Sequence, residues 1–421
     1  MTGSQLTASQ LRGFWAAWWG WTLDGMDSFI FALVLTPALG ELLPKSGMDG
    51  SPSHVVVAAS VLFAVFLAGW GTSMIWGPIA DAYGRTRTLA AAVACYALFT
   101  AAAALAQNVW QLGAFRFLAG VGIGGEWALA GTYVAELWPE SHRKMGAGYL
   151  GTGYYVGFFL AAALNYTVGA HFGWRAMFVC GGAPVFLAFY MLSRVHESDR
   201  WVDAATAPRP SAPLRRIFSV EYRRRTLLNT ALVTISIIGL WAAAVYEPGA
   251  IATLARRTGL TPAEATRLAS LGTGLLSVGT CLGCLALPVM AERFGRRPTH
   301  AVYFLGMAVC ISVSFGWVFY LPGGLSIFIG SLFFLGLFGG NFAMYNLWLP
   351  EQYPTAMRAT AFAFVTSFGR YIGAGVNFLI GMEVHAYGSV GMPVATTALA
   401  FLVGVTLLPL CLETRGERLP A

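Results

Sequence analysis

Twelve stretches of about 20 mostly apolar residues follow one another along this chain, each long enough to cross the hydrocarbon core of a bilayer as a helix. They cover approximately 15–40, 54–76, 87–107, 110–133, 146–168, 174–193, 227–248, 270–290, 300–320, 325–347, 359–381 and 390–411. Backbone polar groups cannot go unpaired in hydrocarbon, so a spanning chain is either helical or a closed barrel. The stretches lack the period-two alternation of barrel strands, which leaves helices. Only 11% of the 421 residues are charged, whereas soluble domains carry about 25%. The chain reads as an all-α membrane protein with twelve transmembrane helices.

The longest break, 194–226, is charged and Pro-containing, and divides the chain into halves of six helices each, 1–193 and 227–421. Lysine and arginine fall unevenly about the spans. With the N-terminus inside, 19 lie on the cytoplasmic side and five, Lys45, Arg175, Arg256, Arg257 and Arg267, on the other; Arg116 and Arg370 fall within spans. The asymmetry predicts both termini in the cytoplasm of a bacterial inner-membrane protein. It also explains the net charge of +7 as topology, with no nucleic-acid partner. The six cysteines lie in apolar stretches without His or Cys partners at metal spacing, so neither metal nor cofactor is expected. The first dozen residues carry only Arg12 and no cleavage motif follows the first apolar stretch, which predicts a retained helix.

Two charged motifs occur twice. Gly77-Pro-Ile-Ala-Asp81-Ala-Tyr-Gly84-Arg85-Thr-Arg87 follows the second span, and Pro288-Val-Met-Ala-Glu292-Arg-Phe-Gly295-Arg296-Arg297 follows the eighth. Glu136-Leu-Trp-Pro139-Glu-Ser-His-Arg143 follows the fourth, and Glu351-Gln-Tyr-Pro354-Thr-Ala-Met-Arg358 the tenth. Their offsets, 211 and 215 residues, make the halves correspond element by element, the internal-repeat architecture of secondary transporters. Asp81 is suited to a helix N-terminus, and the loop can latch helices through an ionic network in one state and release them in another. A plain positive-inside hairpin is the simpler alternative.

These motifs resemble those of the major facilitator superfamily over essentially the whole chain. The Gly77–Arg87 segment is similar to the family's gating loop. Arg116-Phe-Leu-Ala-Gly120-Val-Gly122 resembles its helix 4 signature, which is associated with proton coupling. Within the superfamily, Leu23-Asp24-Gly25-Met26-Asp27 and Gly122-Ile-Gly124-Gly125-Glu126-Trp127 resemble the sialate and monocarboxylate proton symporters, while sugar porters share the twin loops and the Asp27–Arg116 arrangement. The resemblance implies the major facilitator fold of two six-helix bundles. Pro288 and Glu292 depart from the pattern, where Gly and Asp would stand, so the second latch is expected to be the weaker.

Charge inside hydrocarbon is retained when it is paired, faces water or is used. Asp24 and Asp27 lie three apart on one face of the first span, and two such carboxylates resist joint ionisation. Arg116 is expected to pair with Asp27, either as a permanent structural ion pair or as a contact that protonation releases. Glu126 stands almost three turns beyond Arg116, about 15 Å at 1.5 Å per residue, as a second proton station or a partner of loop arginines. Arg370 offers a planar fork for a carboxylate; an anionic substrate or Glu247 is its expected partner. Tyr371, Asn377, Tyr154 and Asn346 are softer substrate-binding candidates, and Asn165, Tyr155 and Tyr345 softer still. Trp15, Trp18, Trp19 and Trp21 read as interface belt and packing. The expected gating residues are Gly77, Asp81, Gly84, Arg85, Arg87, Glu136, Arg143, Glu292, Arg296, Glu351 and Arg358.

The function these features predict is proton-coupled symport of a small organic anion by a lipid-embedded monomer, not an enzyme. A neutral sugar or polyol symporter is the main alternative, ahead of an efflux antiporter or a nutrient sensor without transport.

Overall fold

A computed structural model describes residues 6–205 and 213–420, and every regular element among them is a helix. The first half holds α1 (Ala8–Lys45), α2 (Pro52–Thr72), α3 (Trp76–Tyr83), α4 (Arg85–Ala103), α5 (Val109–Leu137), α6 (Glu140–Leu164), α7 (Ala170–Cys180) and α8 (Pro184–Arg194). Two short helices, α9 (Asp199–Ala205) and α10 (Pro213–Arg216), lie in the expected linker. The second half holds α11 (Arg223–Arg257), α12 (Pro262–Phe294), α13 (Arg296–Gly316), α14 (Leu325–Gly339), α15 (Phe342–Trp348), α16 (Arg358–Tyr387), α17 (Gly391–Thr396) and α18 (Ala398–Leu407).

Helix ends follow local chemistry. Thr7 with Gln10 and Thr261 with Glu264 form capping boxes that start α1 and α12, and Asn108 caps α5 by accepting the Gln111 amide at 2.9 Å. Gly84 (φ +112°) and its counterpart Gly295 (φ +101°) turn the chain between α3 and α4 and between α12 and α13, a backbone conformation that side chains with a Cβ disfavour.

Eight helical runs among the described residues are long and apolar enough to cross a membrane. One of them, Glu140–Arg194, is 55 residues long and joins the fifth and sixth predicted spans; its direction changes at Gly173, which has non-helical dihedrals. The helices at the fourth, seventh and eleventh predicted spans, α5, α11 and α16, fall outside that set. α5 carries Arg116, Glu126 and Glu136 on its buried side, and such charges lower its mean hydropathy.

Helices α1–α8 pack chiefly on one another, as do α11–α18, and the halves meet mainly where α2, α3, α5 and α6 face α12, α15 and α16. Within each half, glycine brings helix backbones together. A Cβ on Gly69 of α2 would lie 2.0 Å from the Phe117 carbonyl of α5, and one on Gly279 of α12 would lie 2.1 Å from the Phe333 carbonyl of α14. The repeat seen in the charged loops therefore extends to the helix crossings, where small residues permit close packing.

Candidate functional site

Two buried groups of residues matter: an ionic layer where the halves close at the face carrying the repeated motifs, and a central cluster of charged and aromatic side chains above it.

The ionic layer is built twice. Glu136 accepts two bonds from Arg85 of its own half, at 3.1 and 3.0 Å, and one from Arg358 of the other half at 2.7 Å. Glu351 accepts two from Arg296, at 2.9 and 2.7 Å, and one from Arg143 across the interface at 3.0 Å. All four arginines and both glutamates are buried. Asp81 bonds Arg85 at 2.8 Å and crosses to the first turn of α16, accepting from the Ala359 and Thr360 amides at 3.3 and 2.8 Å. Its counterpart Glu292 bonds Arg296 at 2.6 Å and reaches Lys144 instead of a helix terminus. Glu292 is 37% exposed at its side chain against 3% for Asp81, so the second latch lacks the capping half of the first. Arg87 is exposed and makes no hydrogen bond or ion pair in this layer among the described residues.

Two further glutamates, one in each half and outside the predicted gate, complete the layer. Glu197 accepts the Arg85 and Thr86 amides at the start of α4, and Glu413 accepts the Arg296 and Arg297 amides at the start of α13. The residue after each, Ser198 or Thr414, donates to Glu136 or Glu351. Their offset of 216 residues matches the other repeats and was the available signal.

Gly77 lies flat against α16. A Cβ there would sit 2.6 Å from the Thr360 Cα and 2.7 Å from the Ala359 carbonyl oxygen. Gly77→Ala is therefore expected to destabilise this closed arrangement by about 1–3 kcal/mol, the usual penalty of overpacking. Cys284 provides the readout, because it is buried where α12 meets Gly148 and Gly151 of α6. Faster maleimide labelling of Cys284 in the alanine variant is the expected outcome; an unchanged rate would show that the contact does not govern closure.

In the first half, Arg116 and Asp27 are wholly buried and paired at 3.4 Å, as expected. Thr100 sits between them, donating to Asp27 at 2.7 Å and accepting from Arg116 at 2.6 Å. The rings of Phe31 and Phe178 flank the guanidinium at 5.5 and 4.8 Å. Asp24, one turn away, has only a 3.4 Å bond from Ser28, and its second oxygen has no hydrogen-bond partner among the described residues. It lies within electrostatic reach of Glu126, Asp27 and Arg370. Glu126 is buried against Gly20, and neither of its oxygens has a hydrogen-bond partner among the described residues. Glu126 forms no pair with a loop arginine in this arrangement, where Arg85, Arg143, Arg296 and Arg358 are engaged by Glu136 and Glu351.

Arg370 of α16 reaches the same space from the second half. Its guanidinium stacks 4.2 Å from the Trp70 ring and 5.3 Å from the Trp127 ring, and donates to the Thr366 carbonyl. No carboxylate forms an ion pair with it among the described residues. Glu247 accepts from Thr273 of α12 at 3.2 Å, so the Glu247–Arg370 pair weighed from sequence is not formed. Trp127 donates to Asn346 at 2.8 Å. Trp21 lies 5.9 Å from Trp127 and 4.8 Å from Tyr154, and Phe342, Tyr345 and Phe362 present their rings to Trp127. Tyr154 is within electrostatic reach of Asp24 and Arg370. Of the interface belt and packing expected for Trp21, the fold shows packing: it is buried beside Trp127 and Tyr154. Tyr371 bonds Thr72 across the halves at 2.8 Å, and the Asn377 side chain lies outside the described residues.

The central cluster thus brings together acids from the first half, an arginine from the second half without an acid partner among the described residues, and aromatic rings, with a duplicated ionic layer at one end. The Major Facilitator Superfamily profile matches residues 17–377. A putative metabolite transport protein of Haemophilus influenzae is 28% identical over 95% of each chain. A probable 4-methylmuconolactone transporter of Cupriavidus pinatubonensis is 30% identical over 97% of this chain and 91% of its own. Other relatives are named for niacin, sialic acid, gallate and 4-hydroxybenzoate transport, so the expected sialate branch is not singled out. The proton:xylose symporter XylE has the same fold, with a TM-score of 0.81 at 18% identity over 98% of each chain. With its duplicated latches and its match across most of its length, this chain belongs to the Major Facilitator Superfamily and is a membrane transporter of small organic solutes, not an enzyme.

Proposed function

We propose that the chain is a proton-coupled symporter of a small organic anion that works by alternating access. In this reading it crosses the membrane twelve times, as two six-helix bundles (1–193 and 227–421) joined by 194–226, with both termini and the ionic layer cytoplasmic. The observation that carries the reading is Arg370, a buried cation without an acid partner among the described residues, stacked on two indoles in the central cluster. A guanidinium with free donors in a low-dielectric site calls for a carboxylate. The Trp21, Trp70 and Trp127 rings favour a planar, unsaturated acid over a saturated one.

Asp24, Asp27 and Glu126 are the proton sites in this scheme. Protonation of Asp27 weakens its bond to Arg116 and lets α1 move against α5; Asp24 and Glu126 hold protons that offset the charge of the incoming anion. Uptake can then proceed against an inside-negative potential.

A proteoliposome assay with an imposed pH gradient tests this, run over aromatic acids, monocarboxylates, sialic acid and hexoses. Accumulation of an acid that collapses when the gradient is dissipated is the expected result. Asp24→Asn is expected to abolish accumulation while leaving solute exchange; full accumulation by that variant would overturn its coupling role. The neutral-solute reading is favoured by the likeness to the xylose symporter fold and by the Asp27–Arg116 pair. It predicts hexose accumulation that Arg370→Gln leaves intact.

A further inference from the structure

The reading just given accounts for Arg370 but not for a second pair of arginines. Arg256 and Arg257 end α11 on the face opposite the ionic layer, beside a cavity of about 290 Å³ lined also by Thr253, Phe319, Val384 and Gly388. That volume is at the lower end of the range for small-molecule sites. Arg257 stacks on the Phe319 ring at 4.9 Å and donates to the Phe319 carbonyl at 2.9 Å. Arg256 donates to Thr253 at 3.3 Å. Neither forms an ion pair among the described residues. The contrast with the same face of the first half is clear: there Lys45 and Arg175 are both held by Glu41.

The cavity also borders the outer end of α16, the helix that carries Arg370. At 100° per residue, positions 370 and 384 of α16 fall within about 40° of one another. Val384 therefore shares the helix face of Arg370, about 21 Å farther out at 1.5 Å per residue, and Gly388 ends the helix in a left-handed turn beside it. Two guanidinium groups with free donors suit a carboxylate; the Phe319 ring is wholly buried beneath Arg257 and serves to hold that guanidinium in place.

We propose that this cavity is an outer vestibule that binds the carboxylate of a solute before it descends to Arg370. The proposal rests on the anion reading and adds a second, weaker site to it. Held at the mouth by charge, the site raises the local concentration of anions, and its effect falls with ionic strength.

The test uses the full chain in nanodiscs of neutral phosphatidylcholine, with 4-fluorobenzoate as probe and fluorine NMR line broadening as readout. Two components are expected in the unaltered protein. Arg370→Gln removes the tighter one, and Arg256→Gln/Arg257→Gln removes the weaker, salt-sensitive one. In transport at low salt, the double variant raises KM by about threefold or more with kcat unchanged, and high salt erases the difference. Loss of all broadening in Arg370→Gln, or an unchanged salt dependence in the double variant, would overturn the vestibule. Survival of the weaker component without the tighter one in the unaltered protein would sink the Arg370 reading instead. No broadening in the unaltered protein overturns both. If the weaker component disappears when phosphatidylglycerol is included, a lipid phosphate occupies the cavity and the solute assignment fails.

Discussion

Arg370→Gln is expected to lower kcat/KM for the carried acid by roughly 30-fold to several thousand-fold. That range corresponds to the about 2–5 kcal/mol lost when one partner of a buried charge pair is truncated. Glutamine keeps a polar head of similar reach but loses the charge, the second donor edge and the stacking on Trp70. Arg370→Lys separates these contributions. Lysine restores the charge but not the planar fork or the full overlap with the indole, so a partial recovery is expected, still about tenfold or more below the native chain. An arginine whose role was only to brace α16 through the Thr366 carbonyl would show a different pattern. Both variants would then lose thermal stability together, with KM unchanged. Uptake in proteoliposomes, paired with the labelling rate of Cys284 and a thermal midpoint, distinguishes the two. Wild-type accumulation of acid by Arg370→Gln would remove the foundation of the anion reading.

Much of the architecture was legible because hydrophobic length and loop charge are local properties. The duplicated motifs were equally open to inspection, since Gly84 and Gly295 must take a left-handed turn and the charged residues around them recur at one offset. What sequence could not supply was contact between distant helices. Asp24 and Glu126 were each visible as intramembrane acids, but their proximity exists only because α1 packs across α5. Arg370 could be recognised as a cation in search of a partner, while the indoles that flank it come from α2 and α5 of the other half. Trp21 shows the limit best. Among Trp15, Trp18 and Trp19 it looks like one more interfacial aromatic, yet Trp15 and Trp19 are exposed and Trp21 is buried beside Trp127 and Tyr154. Glu197 and Glu413 were passed over for another reason: a single acid after a span reads as solvated charge. Its function as a helix cap emerges only when α4 and α13 start beside it.

Glu136→Gln is the substitution expected to move the conformational equilibrium most. Glu136 is the carboxylate that Arg85 and Arg358, from opposite halves, both bond, beside the shared neutral acceptor Thr355, and Ser198 also donates to it. An amide cannot accept from both guanidinium groups on both edges, and two arginines are left buried against each other. Breaking a buried pair in this way costs about 3–5 kcal/mol. Separation of the halves relieves that cost, because Arg358 then gains water while Arg85 keeps Asp81. The closed-to-open ratio at the cytoplasmic face should therefore fall by roughly 150-fold or more. With the other five cysteines replaced by serine, maleimide should label Cys284 correspondingly faster, provided opening limits the reaction. Glu351→Gln should act alike, since Arg296 and Arg143 repeat the arrangement and the two clusters share no bonded residue among those described. The effects are expected to add, as they do for independent contacts on one equilibrium. The outer acids should not be equivalent: Asp81→Asn loses a buried cap on α16, whereas Glu292→Gln loses a partly exposed bond to Lys144. Equal labelling rates for those two variants would show that the helix cap contributes nothing to closure and that the arginine–glutamate cores alone hold the halves together.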